Sequence, residues 1–121
     1  MLKEILIVGS GSFVGGALRY LVGKFINTGF PWGTMLVNIA GCLLIGIFYS
    51  LVERGNIASP EIRLLLTVGF CGGFTTFSAF INENFMMLKA GEFIPFALYT
   101  AGSILLGLLA TWFGYWLLKA A

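Results

Sequence analysis

Histidine is absent from this 121-residue chain, and charged residues make up only 10% of it. The chain therefore lacks the commonest general base and metal ligand of proteins. Its two cysteines, Cys42 and Cys71, lie in apolar segments without the C-x-x-C spacing of a zinc site. These absences argue against an enzyme, and we expect neither a structural zinc centre nor a disulfide.

The low charge content also excludes an ordinary soluble domain, in which about a quarter of the residues are charged. Hydrophobic residues make up 59% of the chain. They form four runs, at about 5–22, 32–52, 63–88 and 93–118, each near the roughly 20 residues that cross a bilayer as a helix. The sequence predicts an all-α integral membrane protein, one four-span domain over residues 1–121, with the first run retained and not cleaved as a signal peptide.

The third run contains Gly-Gly-Phe-Thr-Thr-Phe-Ser-Ala-Phe at positions 72–80. In hydrocarbon, irregular backbone persists only where protein or a water-filled cavity surrounds it. The glycine pair beside two threonines predicts a break in the third helix, in mid-membrane at Gly72 and Gly73, that serves an ion or solute path. Carbonyl groups freed there would suit Na⁺, a hard cation that prefers oxygen ligands.

Two strongly polar side chains interrupt the first and second runs. Asn38 shares a helix face with Thr34 and Gly41, and its amide would either join helices or supply N–H donors to an anion. Arg19 has three interpretations: it reaches the lipid headgroups, it attracts anions at a vestibule, or it binds backbone carbonyls near the break.

Aromatic and hydroxyl groups follow the glycine pair. Phe77 and Phe80 are three residues apart and so lie on one helix face. The edge of an aromatic ring is electropositive and can hold a small anion weakly, which suits conduction because the ion must also leave. Glu83 is the one acidic residue that the runs place inside a span, and proton coupling through it stays an alternative.

The arrangement of small and basic residues favours an oligomer. Gly11 and Gly15 form a Gly-x-x-x-Gly pair that allows close helix packing, and a four-helix unit has little room for a sheltered polar path. The basic residues divide almost evenly between the two sides of the membrane: Lys3, Arg54, Arg63 and Lys119 against Lys24 and Lys89, with Arg19 nearer the second side. So weak a bias predicts either insertion in both orientations, with an antiparallel homodimer, or selection of one orientation.

These residues resemble the Fluc (CrcB) fluoride channel family, whose third span carries the signature Gly-Gly-x-Thr-Thr-Phe-Ser-Thr-Phe. Further similar segments are 16–20, 33–38 with Gly41, and 101–103, so the resemblance covers all four runs. Ala79 departs from the signature and removes one hydroxyl, and Ile81 replaces what is often a small polar residue.

The resemblance implies a passive, fluoride-selective channel that exports fluoride across the bacterial plasma (inner) membrane and lowers its cytoplasmic concentration. It implies a dual-topology, antiparallel homodimer with two pores and a structural Na⁺ at the dimer interface. The implied residues are the pore amide Asn38, the pore phenylalanines Phe77 and Phe80, a polar track of Ser78, Tyr99 and Ser103, the family's arginine at Arg19, and the main-chain carbonyls of Gly72 and Thr75 as Na⁺ ligands from both subunits.

Two other classes compete with a fluoride channel. A small proton-coupled multidrug exporter also has four spans and can be antiparallel, but the first run, 5–22, holds no carboxylate. A non-transporting membrane assembly subunit would explain the Gly-x-x-x-Gly pair. It would not explain a helix break beside an intramembrane asparagine.

Overall fold

The computed structural model describes residues 1–26 and 29–120, and in these ranges the regular structure is helical throughout. The elements are α1 (Leu2–Phe25), α2 (Trp32–Glu53), α3 (Pro60–Leu64), a π-helical segment (Leu65–Cys71), α4 (Gly72–Phe74), α5 (Phe77–Lys89) and α6 (Phe93–Ala120). Positions 27 and 28, between the first two predicted runs, lie outside the described residues.

Four helical stretches are long and apolar enough to cross a membrane: Leu2–Phe25, Trp32–Glu53, Pro60–Lys89 and Phe93–Leu118. The third of them joins α3, the π-helical segment, α4 and α5. The prediction of an all-α membrane protein with four spans is therefore confirmed, and the chain is a multi-pass integral membrane protein.

The third span is broken, but not where the glycine pair predicted. Gly72 has helical backbone angles (φ −62°, ψ −36°), and α4 continues through Phe74. The chain becomes extended only at Thr75 (φ −87°, ψ 160°) and Thr76 (φ −148°, ψ 120°). The predicted break at Gly72 and Gly73 is wrong by about one turn, because glycine permits a break without forcing one.

Two spans end in the same glycine turn. Gly55 after α2 and Gly91 after α5 have positive φ, 81° and 76°, which glycine adopts without steric cost. At each turn, two N–H groups bond back to the last carbonyls of the helix, such as Glu92 N–H to Met87 O at 2.9 Å, the pattern of a Schellman cap. The third span begins after Ser59, whose hydroxyl caps the helix by accepting from the Ile62 N–H at 3.3 Å.

Glycines bring the helices together in two pairs. A Cβ added at Gly15 would stand 2.3 Å from the Phe70 carbonyl oxygen, and one at Gly11 would stand 2.7 Å from the Leu65 oxygen. α1 therefore packs backbone to backbone on the π-helical segment and α4, as the Gly-x-x-x-Gly pair predicted. On the other side α2 packs on α6, where a Cβ at Gly46 would stand 2.1 Å from the Thr111 oxygen.

Candidate functional site

Asn38 bridges the break in the third span. Its Nδ2 donates to the Thr76 carbonyl at 3.1 Å, and its Oδ1 accepts from the Thr76 N–H at 2.7 Å. One carboxamide thus satisfies both backbone polar groups of a residue that has left the helix. In hydrocarbon such groups need a partner, so α2 supplies the hydrogen bonds that the broken helix has lost.

The whole polar face of α2 lies along the third span. Thr34 donates its hydroxyl to Glu83 at 2.7 Å on one side of Asn38, and a Cβ added at Gly41 would stand 2.2 Å from the Thr75 methyl group on the other. The face predicted from the spacing of Thr34, Asn38 and Gly41 is therefore the surface that holds the break.

The carbonyl groups of Gly72 and Thr75 are among those that lose their helical donors at the break. In a regular α-helix the Gly72 oxygen would accept from the Thr76 N–H, and the Thr75 oxygen from the Ala79 N–H. The Thr76 N–H instead donates to Asn38, and the Ala79 N–H donates to the Thr76 hydroxyl at 3.2 Å. Gly72 and Thr75 are the residues whose carbonyls the family resemblance implied as cation ligands.

Arg19 contacts the same region from α1. Its Nε donates to the Gly73 carbonyl at 3.0 Å, which matches the interpretation that this side chain binds carbonyls near the break. The guanidinium therefore compensates a third carbonyl whose residue precedes the extended stretch. The same contact places the fixed positive charge of the guanidinium next to the break.

The two phenylalanines of the signature differ in their surroundings. Phe80 is 7% exposed and packs on Tyr99, with ring centroids 5.1 Å apart. Phe77 is 75% exposed, and its ring lies 6.2 Å from that of Phe80. The rings are neighbours on one face, as predicted, but a single copy of the chain covers only one of them.

A groove of about 370 Å³ joins several of the predicted residues. We call it the Asn38 groove; its lining includes Asn38, Gly72, Thr75, Phe77 and Phe80. The amide, both phenylalanines and both freed carbonyl residues therefore meet at one surface. The polar track implied by the resemblance is not part of that lining.

The three members of that track lie in separate places. Ser78 is exposed, with its Oγ 3.4 Å from that of Thr76. Tyr99 is fully buried and donates its hydroxyl to Glu83 at 2.7 Å. Ser103 lines a neighbouring groove of about 800 Å³ between α2 and α6, and in the described part of the chain its buried Oγ has no hydrogen-bond partner.

Glu83, for which the sequence left only proton coupling as an alternative, has two hydrogen-bond partners in the structure. The Thr34 and Tyr99 hydroxyls, from α2 and α6, donate to its two oxygens, each at 2.7 Å. The carboxylate therefore ties three spans together. The sequence around Glu83 could not reveal these partners, because both donors lie far from Glu83 along the chain.

Two clefts of opposite charge meet at Thr34. A cleft of about 360 Å³ is lined by Arg19 and Lys24, and Thr34 and Thr76 also line it. A second cleft, of about 570 Å³, contains Glu83 and Glu92 and also borders Thr34. The basic cleft leads toward the residue that Asn38 holds, and its charges favour an anion.

Comparison with known proteins agrees with this geometry. The family described as "CrcB-like protein, Camphor Resistance (CrcB)" matches residues 6–115. A protein of Chlorobium phaeobacteroides named "Fluoride-specific ion channel FluC" is 50% identical over 118 residues, covering 95% of this chain and 92% of that protein. Proteins of the same name from Phocaeicola vulgatus and Chlorobaculum tepidum are 48% identical over 120 residues (96% and 98% covered) and 45% identical over 122 residues (98% and 97% covered). The chain belongs to the CrcB family.

Proposed function

We propose that the protein is a passive fluoride-selective channel of the bacterial plasma membrane and that it lowers fluoride inside the cell. Membership of a family whose relatives are named fluoride-specific ion channels supports this function. It also supports a non-enzymatic role, since conduction makes and breaks no covalent bond. The observation that carries the proposal is the Asn38 bridge at the break, beside Phe77 and Phe80 in one groove.

Fluoride is small and strongly hydrated, so its path must replace the hydrogen bonds of water. We propose that the Asn38 amide and the edges of the Phe77 and Phe80 rings do this in the Asn38 groove, with the hydroxyls of Ser78 and Ser103 as further donors along the path. Tyr99 gives its one hydroxyl proton to Glu83, so its part in the path would be to hold the Phe80 ring. Weak donors of this kind hold an anion without trapping it. The unpartnered Oγ of Ser103 supports its place in the path, because a buried hydroxyl without a partner is costly.

A second copy of the chain completes this proposal. Phe77 is exposed in one copy. One copy offers only the Gly72 and Thr75 carbonyls, whereas a second copy would bring to four the oxygen ligands that a hard cation prefers. We propose an antiparallel, dual-topology homodimer in which Gly72 and Thr75 of both copies hold a structural Na⁺. The residues fit such an ion, since their carbonyls lose their helical donors. When bound, it would supply positive charge that favours anions.

The membrane potential gives the direction of transport. An interior-negative potential is worth about 2.3 kcal/mol per elementary charge per 100 mV, so an anion leaves the cell without an energy source. The basic cleft that holds Arg19 and Lys24 offers such an anion a favourable approach to the break.

Efflux from liposomes tests the function directly. Purified protein in liposomes loaded with fluoride, or with chloride, should release fluoride when an ionophore supplies a charge-compensating flux of K⁺, at the same pH inside and out, and should retain chloride. Release that needs a pH gradient would indicate the proton-coupled exporter instead. No release of either ion, from protein that is folded and dimeric, would indicate an assembly subunit.

The dimer and the cation are tested separately. One cysteine is placed at a helix end on one side of the membrane, and a second at a helix end on the other side. The first cysteine of one copy should crosslink to the second cysteine of the other copy only if the two copies are antiparallel. Preparation with K⁺ or N-methylglucamine in place of Na⁺ should lower fluoride efflux, and added Na⁺ should restore it. Efflux that is indifferent to the cation present during purification and assay would remove Na⁺ from the proposal.

A further inference from the structure

A buried polar pair joins α5 to α6 beside the Phe80 ring. Asn84, 5% exposed, donates its Nδ2 to the Phe80 carbonyl at 3.0 Å. Its Oδ1 accepts from the Thr100 hydroxyl, on α6, at 2.8 Å. The carboxamide therefore connects the backbone of Phe80 to the residue that follows Tyr99, the ring on which Phe80 packs.

This pair is one of two polar links across the same seam. Tyr99 donates to Glu83 at 2.7 Å, and Thr100 donates to Asn84 at 2.8 Å. The contact between the rings of Phe80 and Tyr99, with centroids 5.1 Å apart, lies in the same seam between α5 and α6. Hydrogen bonds are directional and are strengthened by a low dielectric, so these two bonds resist sliding and rotation of α5 against α6.

α5 needs such a restraint because its N-terminal end is not held by a continuous helix. The extended residues Thr75 and Thr76 precede it, so the depth of Phe80 depends on the contacts that α5 makes with its neighbours. A path that selects a small ion by the positions of ring edges tolerates little displacement of those rings.

We propose that Asn84, acting through Thr100, is a positioning residue for fluoride selection: it sets the position of the Phe80 ring against Tyr99. The inference rests on the proposed fluoride channel. Asn84 itself is absent from the lining of the Asn38 groove, so its effect reaches the ion only through Phe80. A polar residue inside a span is costly, so its presence there is best explained by a function.

The test compares Thr100→Val, which removes the donor at nearly constant shape, with Thr100→Ser, which keeps it. Fluoride and chloride efflux and the fluoride concentration for half-maximal flux are measured in liposomes, with Asn84→Leu as a second variant. We expect Thr100→Val and Asn84→Leu to lower the fluoride-to-chloride ratio about fivefold, as the loss of one intramembrane hydrogen bond allows. Thr100→Ser should keep the wild-type ratio. The double variant with both Thr100→Val and Asn84→Leu should lower the ratio no further than the single variant with the larger effect.

Ser12→Ala is the matched control, because it removes another hydroxyl bond between spans, from Ser12 to the Gly69 carbonyl at 3.2 Å, away from Phe80. It should leave the ratio unchanged. If Thr100→Val conducts with wild-type selectivity, or if Ser12→Ala lowers the ratio equally, Asn84 has no positioning role. If Asn84→Leu does not fold, Thr100→Val decides. If the wild-type protein shows no fluoride efflux, the proposed function is overturned. If the wild type conducts fluoride and the variants keep its fluoride-to-chloride ratio, only this inference is overturned.

Discussion

The carboxamide of Asn38 pairs with both backbone polar groups of Thr76, at 3.1 Å and 2.7 Å. A side chain of α2 thereby takes the place of two helical hydrogen bonds in the third span. The pairing explains how an extended segment persists in mid-membrane, where each unpaired backbone group would cost several kcal/mol. It also places a donor amide in the groove that holds Phe77 and Phe80.

Replacing Asn38 by aspartate should abolish this arrangement. A carboxylate accepts from the Thr76 N–H but cannot donate to its carbonyl, and it adds negative charge to an anion path. We expect fluoride efflux of Asn38→Asp to fall about tenfold or more, as the loss of a buried hydrogen bond implies. Asn56→Asp makes the same exchange in an exposed loop and should conduct normally. Equal efflux in both variants would remove Asn38 from the path.

The two phenylalanines should separate conduction from stability. Phe80→Ile removes a ring edge from a buried position, so we expect efflux to fall about tenfold and the folded state to lose about 1 kcal/mol. Phe77 is 75% exposed in one copy, so Phe77→Ile should lower efflux with a smaller loss of melting temperature in detergent than Phe80→Ile causes.

Phe13 provides the control for that comparison. It is 78% exposed on α1, and Phe13→Ile should leave efflux and melting temperature unchanged. If Phe77→Ile behaves as Phe13→Ile does in both measurements, Phe77 faces only lipid and is no pore residue.

Two glycines of α1 should respond oppositely to alanine. A Cβ at Gly15 would lie 2.3 Å from the Phe70 carbonyl oxygen, whereas one at Gly9 would meet nothing within 4 Å. Overpacking of this kind costs about 1–3 kcal/mol, so Gly15→Ala should lower the melting temperature and the yield of folded protein. Gly9→Ala should not lower either, because alanine favours a helix over glycine. Equal melting temperatures would mean that α1 does not pack closely on the third span.

Lys24 should assist conduction through its charge alone. It lines the basic cleft with Arg19 but lies in the last turn of α1, away from the Asn38 groove. Lys24→Gln should reduce fluoride flux severalfold at about 0.01 M ionic strength, where the Debye length is about 30 Å, and hardly at all near 1 M, where it is about 3 Å.

Lys89→Gln removes a charge from the last turn of α5, outside the lining of the basic cleft, and should show little of this salt dependence. A loss for Lys24→Gln that persists at high salt would indicate a structural role. No loss at either ionic strength would show that anions do not approach through this cleft.

The class of this protein and several residues of its site follow from the amino-acid sequence alone. Four apolar runs of spanning length and few charges leave little besides a membrane protein, because hydropathy and helix length act locally along the chain. The signature at 72–80 with Asn38 was enough to indicate the family. The faces of α1 and α2 were also predictable, since helical spacing sets them.

The position of the break in the third span, and the side chain that stabilises it, depend on how the helices pack together. Glycine tolerates a helix as well as a turn, so Gly72 and Gly73 could not locate the break. Asn38 does, although it precedes Thr76 by 38 residues. The partners of Glu83 and Asn84 on α6 also lie 16 residues along the chain. Hydrogen bonds between spans depend on how the helices pack in three dimensions, and no local pattern in the sequence specifies that packing.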